Sequence, residues 1–272
     1  MPFSHLSVAD IRDAAIERGV VAEISGTTIW RWLTADAIRP WCHRSWIFPR
    51  DPDFEVKAAR VLDLYARVWD GVPLGADEYV ISADEKTQLQ ALARRHPGTP
   101  CRPGACRRVE FEYRRGGTLA YLAAWDVHHA RLFGRVEPTT GIVPFGRLVD
   151  QVMTTEPYRS AKRVFWVVDN GSSHCGRTSV ERLAAAYPNL VLVHLPVHAS
   201  WLNQVEVYFS VVQRKVCTPN DFASLEDLAD CLLRFQAHYE RIAAPFDWKF
   251  TRNDLAALME RLRDAEAAPL AA

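Results

Sequence analysis

Residues 164–168 read Val-Phe-Trp-Val-Val and stop on Asp169. Five apolar side chains in succession leave no face for water, so a strand here must be covered on both sides. That requirement points to an open sheet with helices packed on each face, and it constrains the chain more than any other feature. The run is also far too short for a membrane span, which needs about eighteen apolar residues or more, and no such stretch occurs. With 272 residues, about half of them hydrophobic, the chain is long enough to bury such a sheet and to carry one small appendage.

The surrounding pattern agrees. Residues 79–83 form a second apolar run that ends on Asp84, and 109–113 alternate Val, Glu, Phe, Glu, Tyr as a half-buried strand does. Gly116-Gly117 reads as a hairpin turn, with strands at 118–125 and 131–136 continuing a meander. Helices are expected at 145–153 and 178–186, a strand at 190–195, and mostly helices afterwards, two of them opened by Ser224-x-x-Asp227 and Thr251-x-x-Asp254. Upstream, Ser7-Val-Ala-Asp10 is a capping box for a helix that Gly19 stops, and a second helix is expected from about Gly26 to Asp36. Two short helices with a glycine between them outline a helix-turn-helix. Trp30 and Leu33 are its expected core residues; Thr27, Thr28, Arg31 and Trp32 face outward. Prolines at 40, 49 and 52 mark a linker, and helical spacing resumes at Phe54, Ala58, Val61, Tyr65 and Val68. The pattern predicts an α/β protein: residues 1–50 a partial helix-turn-helix module with linker, and 51–272 a mixed sheet flanked by helices.

Two carboxylates, Asp84 and Asp169, each follow directly on an apolar strand. Two such groups held close together repel one another unless a cation neutralises them, and hard oxygen donors suit magnesium or manganese. A third, Glu206, lies in Ser-Trp-Leu-Asn-Gln-Val-Glu-Val-Tyr-Phe, where helical spacing sets Asn203 and Glu206 on one face and turns Val205, Tyr208, Phe209 and Val212 inward. The competing reading is that each aspartate is a turn former, for which Asp169-Asn170-Gly171 is well suited.

The stretches ISADEKTQLQAL, VFWVVDNGSSH and HASWLNQVEVYFSVVQRK together resemble the three catalytic blocks of DDE transposases, in the bacterial insertion-sequence branch (the IS-six-thirty family) of the mariner superfamily. The separation of Asp169 from Glu206, 36 residues (206 − 169 − 1), falls within that branch's range. The resemblance covers about residues 54–250. It implies an RNase H-like fold and two Mg²⁺ (or Mn²⁺) ions, with Asp84 bridging them and Asp169 and Glu206 holding one each. It further implies cleavage at transposon inverted repeats and strand transfer into target DNA, by a homodimer on double-stranded DNA. Such a chain needs no side-chain nucleophile, and no Ser-His-Asp or Cys-His arrangement stands out. Members typically carry two helical modules ahead of the catalytic domain, where one fits here, so the alternative is a truncated, transposition-defective DNA-binding remnant or regulator.

Around the triad, Asn170 and His174 match the second block and Asn203 the third, as supporting residues; turn support explains His174 equally well. Glu85, Lys86 and Gln88 match the first block, either as DNA contacts or as a solvated loop. His194-x3-His198 and Cys101-x4-Cys106 lack the partners a zinc site requires. Formal net charge is zero, which excludes a uniformly basic DNA-coating protein. Yet residues 94–115 hold seven arginines, Arg94, Arg95, Arg107 and Arg108 among them, against Glu110 and Glu112, a local balance of +5. These suit backbone contact with DNA, as do Thr27, Thr28 and Arg31; an ordinary solvated hairpin is the competing reading. Scattered cysteines and an N-terminus without a signal-peptide layout lead to the expectation of an intracellular protein without membrane contact, and the resemblance implies a bacterial cytoplasmic, nucleoid-associated one.

Overall fold

The computed structural model describes residues 6–35 and 48–267. The chain divides into two compact units, Met1–Phe48 and Pro49–Ala272. The end of the second predicted helix at Asp36 and the linker around Pro40 lie outside the described residues.

In the first unit, α1 (Val8–Glu17) opens with the predicted capping box. Ser7 Oγ accepts the Asp10 amide at 3.2 Å, and Asp10 Oδ2 accepts the Ser7 amide at 2.8 Å. Gly19, at φ +68°, takes the left-handed conformation that lets the chain leave the helix. Helix α2 (Gly26–Ala35) is capped by Ser25, whose Oγ accepts the Thr28 amide at 3.1 Å. Thr28 is thus engaged in the cap, while Thr27 and Arg31 are exposed. Ile29 is the buried residue of α2, and Trp30, expected in the core, is 52 % exposed. One residue turns a helix by about 100°, so burying Ile29 carries Trp30 off the contact face.

The second unit begins with α3 (Phe54–Tyr65) and a small ribbon, β1 (Val68–Trp69) with β2 (Val72–Pro73). Five strands follow: β3 (Glu78–Arg94), β4 (Tyr113–Asp126), β5 (Leu132–Glu137), β6 (Arg163–Val168) and β7 (Leu190–His194). They form one sheet in the order β5-β4-β3-β6-β7. Strands β3, β4 and β5 pair antiparallel as a meander, whereas β6 and β7 join parallel. The helices are α4 (Ile142–Met153), the short α5 (Ser172–Cys175), α6 (Arg177–Ala186), α7 (Val205–Lys215), α8 (Leu225–Glu240) and α9 (Arg252–Ala267), with a 3₁₀ turn at Ser200–Leu202.

Both faces of the sheet are covered, as the Val-Phe-Trp-Val-Val run requires. Phe165 and Val167 point into a core shared with α3, α7, α8 and α9. Val164, Trp166 and Val168 point into a second core with α4 and α6.

Three expectations are corrected. Asp84 does not end its strand: β3 runs ten residues further, to Arg94 (94 − 84), paired with β4 throughout. Its polar continuation, Glu-Lys-Thr-Gln, hides the strand from an apolar-run criterion, because this arm extends past the parallel neighbour β6. Gly116-Gly117 is not a hairpin turn but lies inside β4 at a register shift between Gln90 and Leu92, with Gly117 at φ +109°. That is a bulge, where a residue without Cβ is favoured. Residues 109–112 are not strand, although they alternate; they belong to the long excursion between β3 and β4, where Phe111 is 88 % exposed and no second face is present to bury the apolar set. No helix among the described residues is long and apolar enough to cross a membrane.

Candidate active site

The register of two strands brings the aspartates together. Parallel pairing of β3 with β6 runs from Glu78↔Arg163 to Ser82↔Val167, a constant offset of 85. The pairing stops there, but the same offset carried two residues further points Asp84 toward Asp169 (84 + 85 = 169), and Asp169 lies near enough to raise the pKa of Asp84. Side chains alternate along a strand, so Asp84 shares its face with Val80 and Ser82, and Asp169 shares its face with Phe165 and Val167. Val80, Phe165 and Val167 all belong to the core beneath α7. Both carboxylates therefore leave the sheet on the α7 side, just past the end of the parallel pairing between β3 and β6, where open α/β sheets collect ligands.

Helix α7 is fixed to that face by Val205, Tyr208, Phe209 and Val212, all buried as predicted. Asn203 precedes the helix rather than sharing its face with Glu206, and it is fully buried. Its Nδ2 donates to Ala83 O at 3.0 Å and to Asp84 Oδ2 at 3.1 Å, and its Oδ1 accepts the Ser82 hydroxyl. Ser82 Oγ in turn accepts the Val205 amide, in the first turn of α7, at 2.8 Å. From α3, the Tyr65 hydroxyl donates to Leu202 O at 2.8 Å. This buried network fastens the helix that carries Glu206 to the strand that carries Asp84.

Asp169 is held from its other side. Its Oδ1 accepts the Gly171 amide at 2.7 Å and the Nε2 of buried His174. The His174 Nδ1 meets Ser173 Oγ at 3.0 Å, and that hydroxyl reaches Glu85 Oε1 at 3.2 Å. A Cβ at Gly171 would stand 2.9 Å from Asp169 Oδ1 and 3.0 Å from His174 Nε2, so the turn needs glycine. Asn170 Nδ2 donates to Leu195 O at 2.7 Å and braces the ends of β6 and β7.

The charges are strongly coupled. Burial first, and then the carboxylates of Asp169, Glu85 and Glu206, push Asp84 up to about 7, against the lowering effect of the Glu85 amide. Glu206 is raised by burial and by Asp169, and lowered by Lys86. Glu85 is raised by burial too. Asp169 is lowered, chiefly by the His174 hydrogen bond. Among the described residues no group of three or more His, Cys, Asp or Glu is already closed around a single point. The donor set nevertheless fits a divalent cation: hard oxygens, half-buried to buried, whose mutual repulsion a double positive charge would relieve.

Of the other predicted residues, Arg94 is turned to internal use. Its guanidinium donates to Asn220 O at 2.9 Å and Glu110 O at 3.0 Å, and lies 5.4 Å over the Tyr113 ring. Arg95 approaches Glu112 at 3.5 Å, and Arg107 and Arg108 are exposed. Thr27, Thr28 and Arg31 belong to the first unit. Ser82 and Ser173 had no assigned role in the sequence, and Tyr65 and Gly171 were expected only as a helix-face residue and a turn former. Ser82 had a legible signal, as a polar residue in an apolar strand on the same face as Asp84.

The architecture, a five-stranded mixed sheet with helices on both faces and two aspartates just past the end of the β3–β6 pairing, can be compared with known families. Residues 79–229 match the family model of the DDE superfamily endonucleases, and the match spans more than half of the 272-residue chain. The chain belongs to that family. Among solved structures, the Mos1 mariner paired-end complex with Mn matches with a TM-score of 0.55 at 15 % identity, over 98 % of this chain and 80 % of that one. The paired-end complex with Mg gives 0.53 at 15 %, over 98 % and 80 %. The Mos1 strand transfer complex gives 0.53 at 13 %, over 98 % and 79 %. The fold is the RNase H-like fold. No curated protein sequence matches the chain.

Proposed function

We propose that the chain is the transposase of a bacterial insertion sequence of the IS-six-thirty branch, cutting and joining DNA strands with Asp84, Asp169 and Glu206. What supports this reading is how the elements that carry the three are linked. Strand register aligns Asp84 with Asp169, and Asn203 ties the segment leading into Glu206 to Asp84. The three carboxylates would hold two Mg²⁺ or Mn²⁺ ions. Bound there, the cations would supply Lewis-acid stabilisation of charge on the phosphate oxygens and a lowered pKa for the attacking hydroxyl. The chain's own residues do the positioning: Asn203 orients Asp84, His174 orients Asp169 and keeps it ionised, and the apolar face of α7 fixes Glu206. The Mos1 complexes with Mn, with Mg and with the left transposon end support divalent cations and duplex transposon ends as ligands here. Pairing two inverted repeats calls for a homodimer on the DNA. In this reading residues 1–50 serve end recognition through Thr27, Thr28 and Arg31. Residues 51–272 carry the chemistry, with exposed Arg107 and Arg108 and the rim residue Arg95 as phosphate contacts.

The test is nicking of DNA that carries the element's ends, in Mg²⁺ or Mn²⁺. Asp169→Ala is expected to abolish nicking and to leave DNA binding intact. Nicking that survives in this variant overturns the triad.

A further inference from the structure

Two clefts open beside the carboxylates. One, about 330 Å³, is lined by Asp169, Asn170 and the 195–200 segment, and holds no lysine or arginine. The other, about 320 Å³, lies along α7 and is lined by Lys86, Glu206, Phe209, Ser210, Gln213 and Arg214. The difference in charge between two clefts of similar size asks for an explanation.

Lys86 follows Asp84 by two residues in β3, so it leaves the strand on the α7 side. Glu206, Ser210, Gln213 and Arg214 recur at helical spacing and form one stripe of α7. At about 1.5 Å per residue, that stripe carries Arg214 about 12 Å from Glu206. Neither Lys86 nor Arg214 makes a hydrogen bond or ion pair with another described residue. Other cations, the exposed Arg107, Arg108 and Lys215 among them, also lack such partners; what marks this pair is that both line one cleft with Glu206. Lys86 lies close enough to lower the pKa of Glu206 without closing an ion pair on it. The hydroxyl of Ser210 donates to Glu206 O and serves as a small wall. Gln213 gives one amide hydrogen to Thr218 and keeps the other. The cleft thus offers two unpaired cations and an amide donor, with a carboxylate at one end only.

We propose that this cleft is a phosphate-binding groove for the DNA strand as it leaves the carboxylate centre, with Lys86 and Arg214 on successive backbone phosphates. The inference rests on the transposase reading and adds to it the direction of the strand, along α7 and away from Asp169. A phosphodiester backbone fits because it brings a negative charge at each step, where the cleft on the Asp169 side presents a carboxylate and no lysine or arginine. Placement of Arg214 in the last turn of α7, where any cation is favoured by the helix dipole, is the structural alternative.

The test is the salt dependence of binding to a short fluorescein-labelled duplex, read by anisotropy between about 50 and 200 mM salt. Ca²⁺ replaces Mg²⁺ in the buffer. Lys86→Gln and Arg214→Gln are each expected to reduce the log–log slope by about one and to weaken binding several-fold at the low-salt end. Arg214→Lys restores the slope, and Arg159→Gln, beyond the second core, leaves it unchanged. Arg214 is too far along the helix to act through the carboxylates, so its variant separates phosphate contact from disturbed metal binding. Unchanged slopes in both glutamine variants overturn the groove. If Asp169→Ala abolishes nicking while those slopes stay at the wild-type value, the groove alone falls. If Asp169→Ala still nicks while the slopes drop, the triad falls and the phosphate contacts stand.

Discussion

Asp84→Asn is expected to make the metal-free protein more stable at pH 8 while removing its activity. Burial and three neighbouring carboxylates raise Asp84 from an ordinary 3.8 to about 7. The sign follows from proton binding: a folded state with the higher pKa holds its proton longer than the unfolded chain. Stability is therefore fully present below about pH 3.8 and is lost as pH rises through about 7. A shift of about three units at about 1.4 kcal/mol each makes the ionised carboxylate a burden on the order of 4 kcal/mol at pH 8. Asparagine removes that charge but not without loss. Asp84 Oδ1 accepts the Glu85 amide and Oδ2 accepts Asn203 Nδ2, and a carboxamide has one acceptor for these two donors. The stranded donor costs about 1–3 kcal/mol. The net is a gain of about 2 kcal/mol at pH 8, shrinking to nothing or reversing near pH 5, where wild-type Asp84 is protonated. Urea unfolding in EDTA, followed by fluorescence of buried Trp125 and Trp166, reads this directly. With a slope of about 3 kcal/mol/M the midpoint moves by roughly 0.7 M. Comparing variant with wild type at each pH cancels the titrating groups that do not interact with Asp84, including His128, whose lowered pKa works in the opposite direction. A variant that is equal to or less stable than wild type at pH 8, with no pH dependence in the difference, refutes the argument.

Asn203→Ala strands the Ser82 hydroxyl and the Ala83 carbonyl in the interior; unfolding free energy should fall by about 2–4 kcal/mol, and nicking by about 100-fold if the fold holds. Calorimetry and single-turnover nicking at low temperature separate the two effects. His174→Ala removes the first cause of Asp169's lowered pKa. Stability from that shift is present above pH 3.8 and lost as pH falls through the lowered value, so the destabilisation in urea should be largest at neutral pH and diminish below about pH 4. Gly134→Ala should cost about 1–3 kcal/mol, because the new methyl would collide with Tyr121 Oη and Gln236 Oε1, which share a hydrogen bond at 2.9 Å. A thermal midpoint unchanged in this variant contradicts the packing described for β5.

Much of this architecture was legible because its signals are local. The apolar Val-Phe-Trp-Val-Val run fixed a doubly covered strand, and the capping boxes at Ser7 and Thr251 and the N-cap at Ser224 recur as hydrogen bonds in the structure. The β3 arm beyond Asp84 was not legible: its extension depends on pairing with β4 after β6 has stopped, and no period in residues 85–94 encodes partners that lie 19 (113 − 94) to 37 (122 − 85) residues away. The two bulges are of the same kind. Gln88, at φ +55°, and Gly116-Gly117 each absorb an extra residue so that two strands of unequal count stay paired. Within the site, the aspartates announced themselves by following apolar runs, but Ser82 and Ser173 are small hydroxyls whose use appears only when Asn203 and His174 are brought to them from distant elements.

The place of the site follows from a missing rung. Parallel pairing between β3 and β6 ends at Ser82↔Val167, while β3 continues against β4 on its other edge. Just past that last rung the sheet has a notch, and buried backbone groups in a notch need partners. Asn203 supplies one, through its bond to the Ala83 carbonyl, and from the same nitrogen it reaches Asp84. Ser82, on the rung itself, takes the amide of Val205 and so sets the first turn of the Glu206 helix. The side chains that complete the sheet's hydrogen bonding are thus the ones that aim the carboxylates. Closing this notch correctly also fastens the strand of Asp84 to the helix of Glu206, and under the proposed function a bound cation would offset the repulsion that the same burial creates.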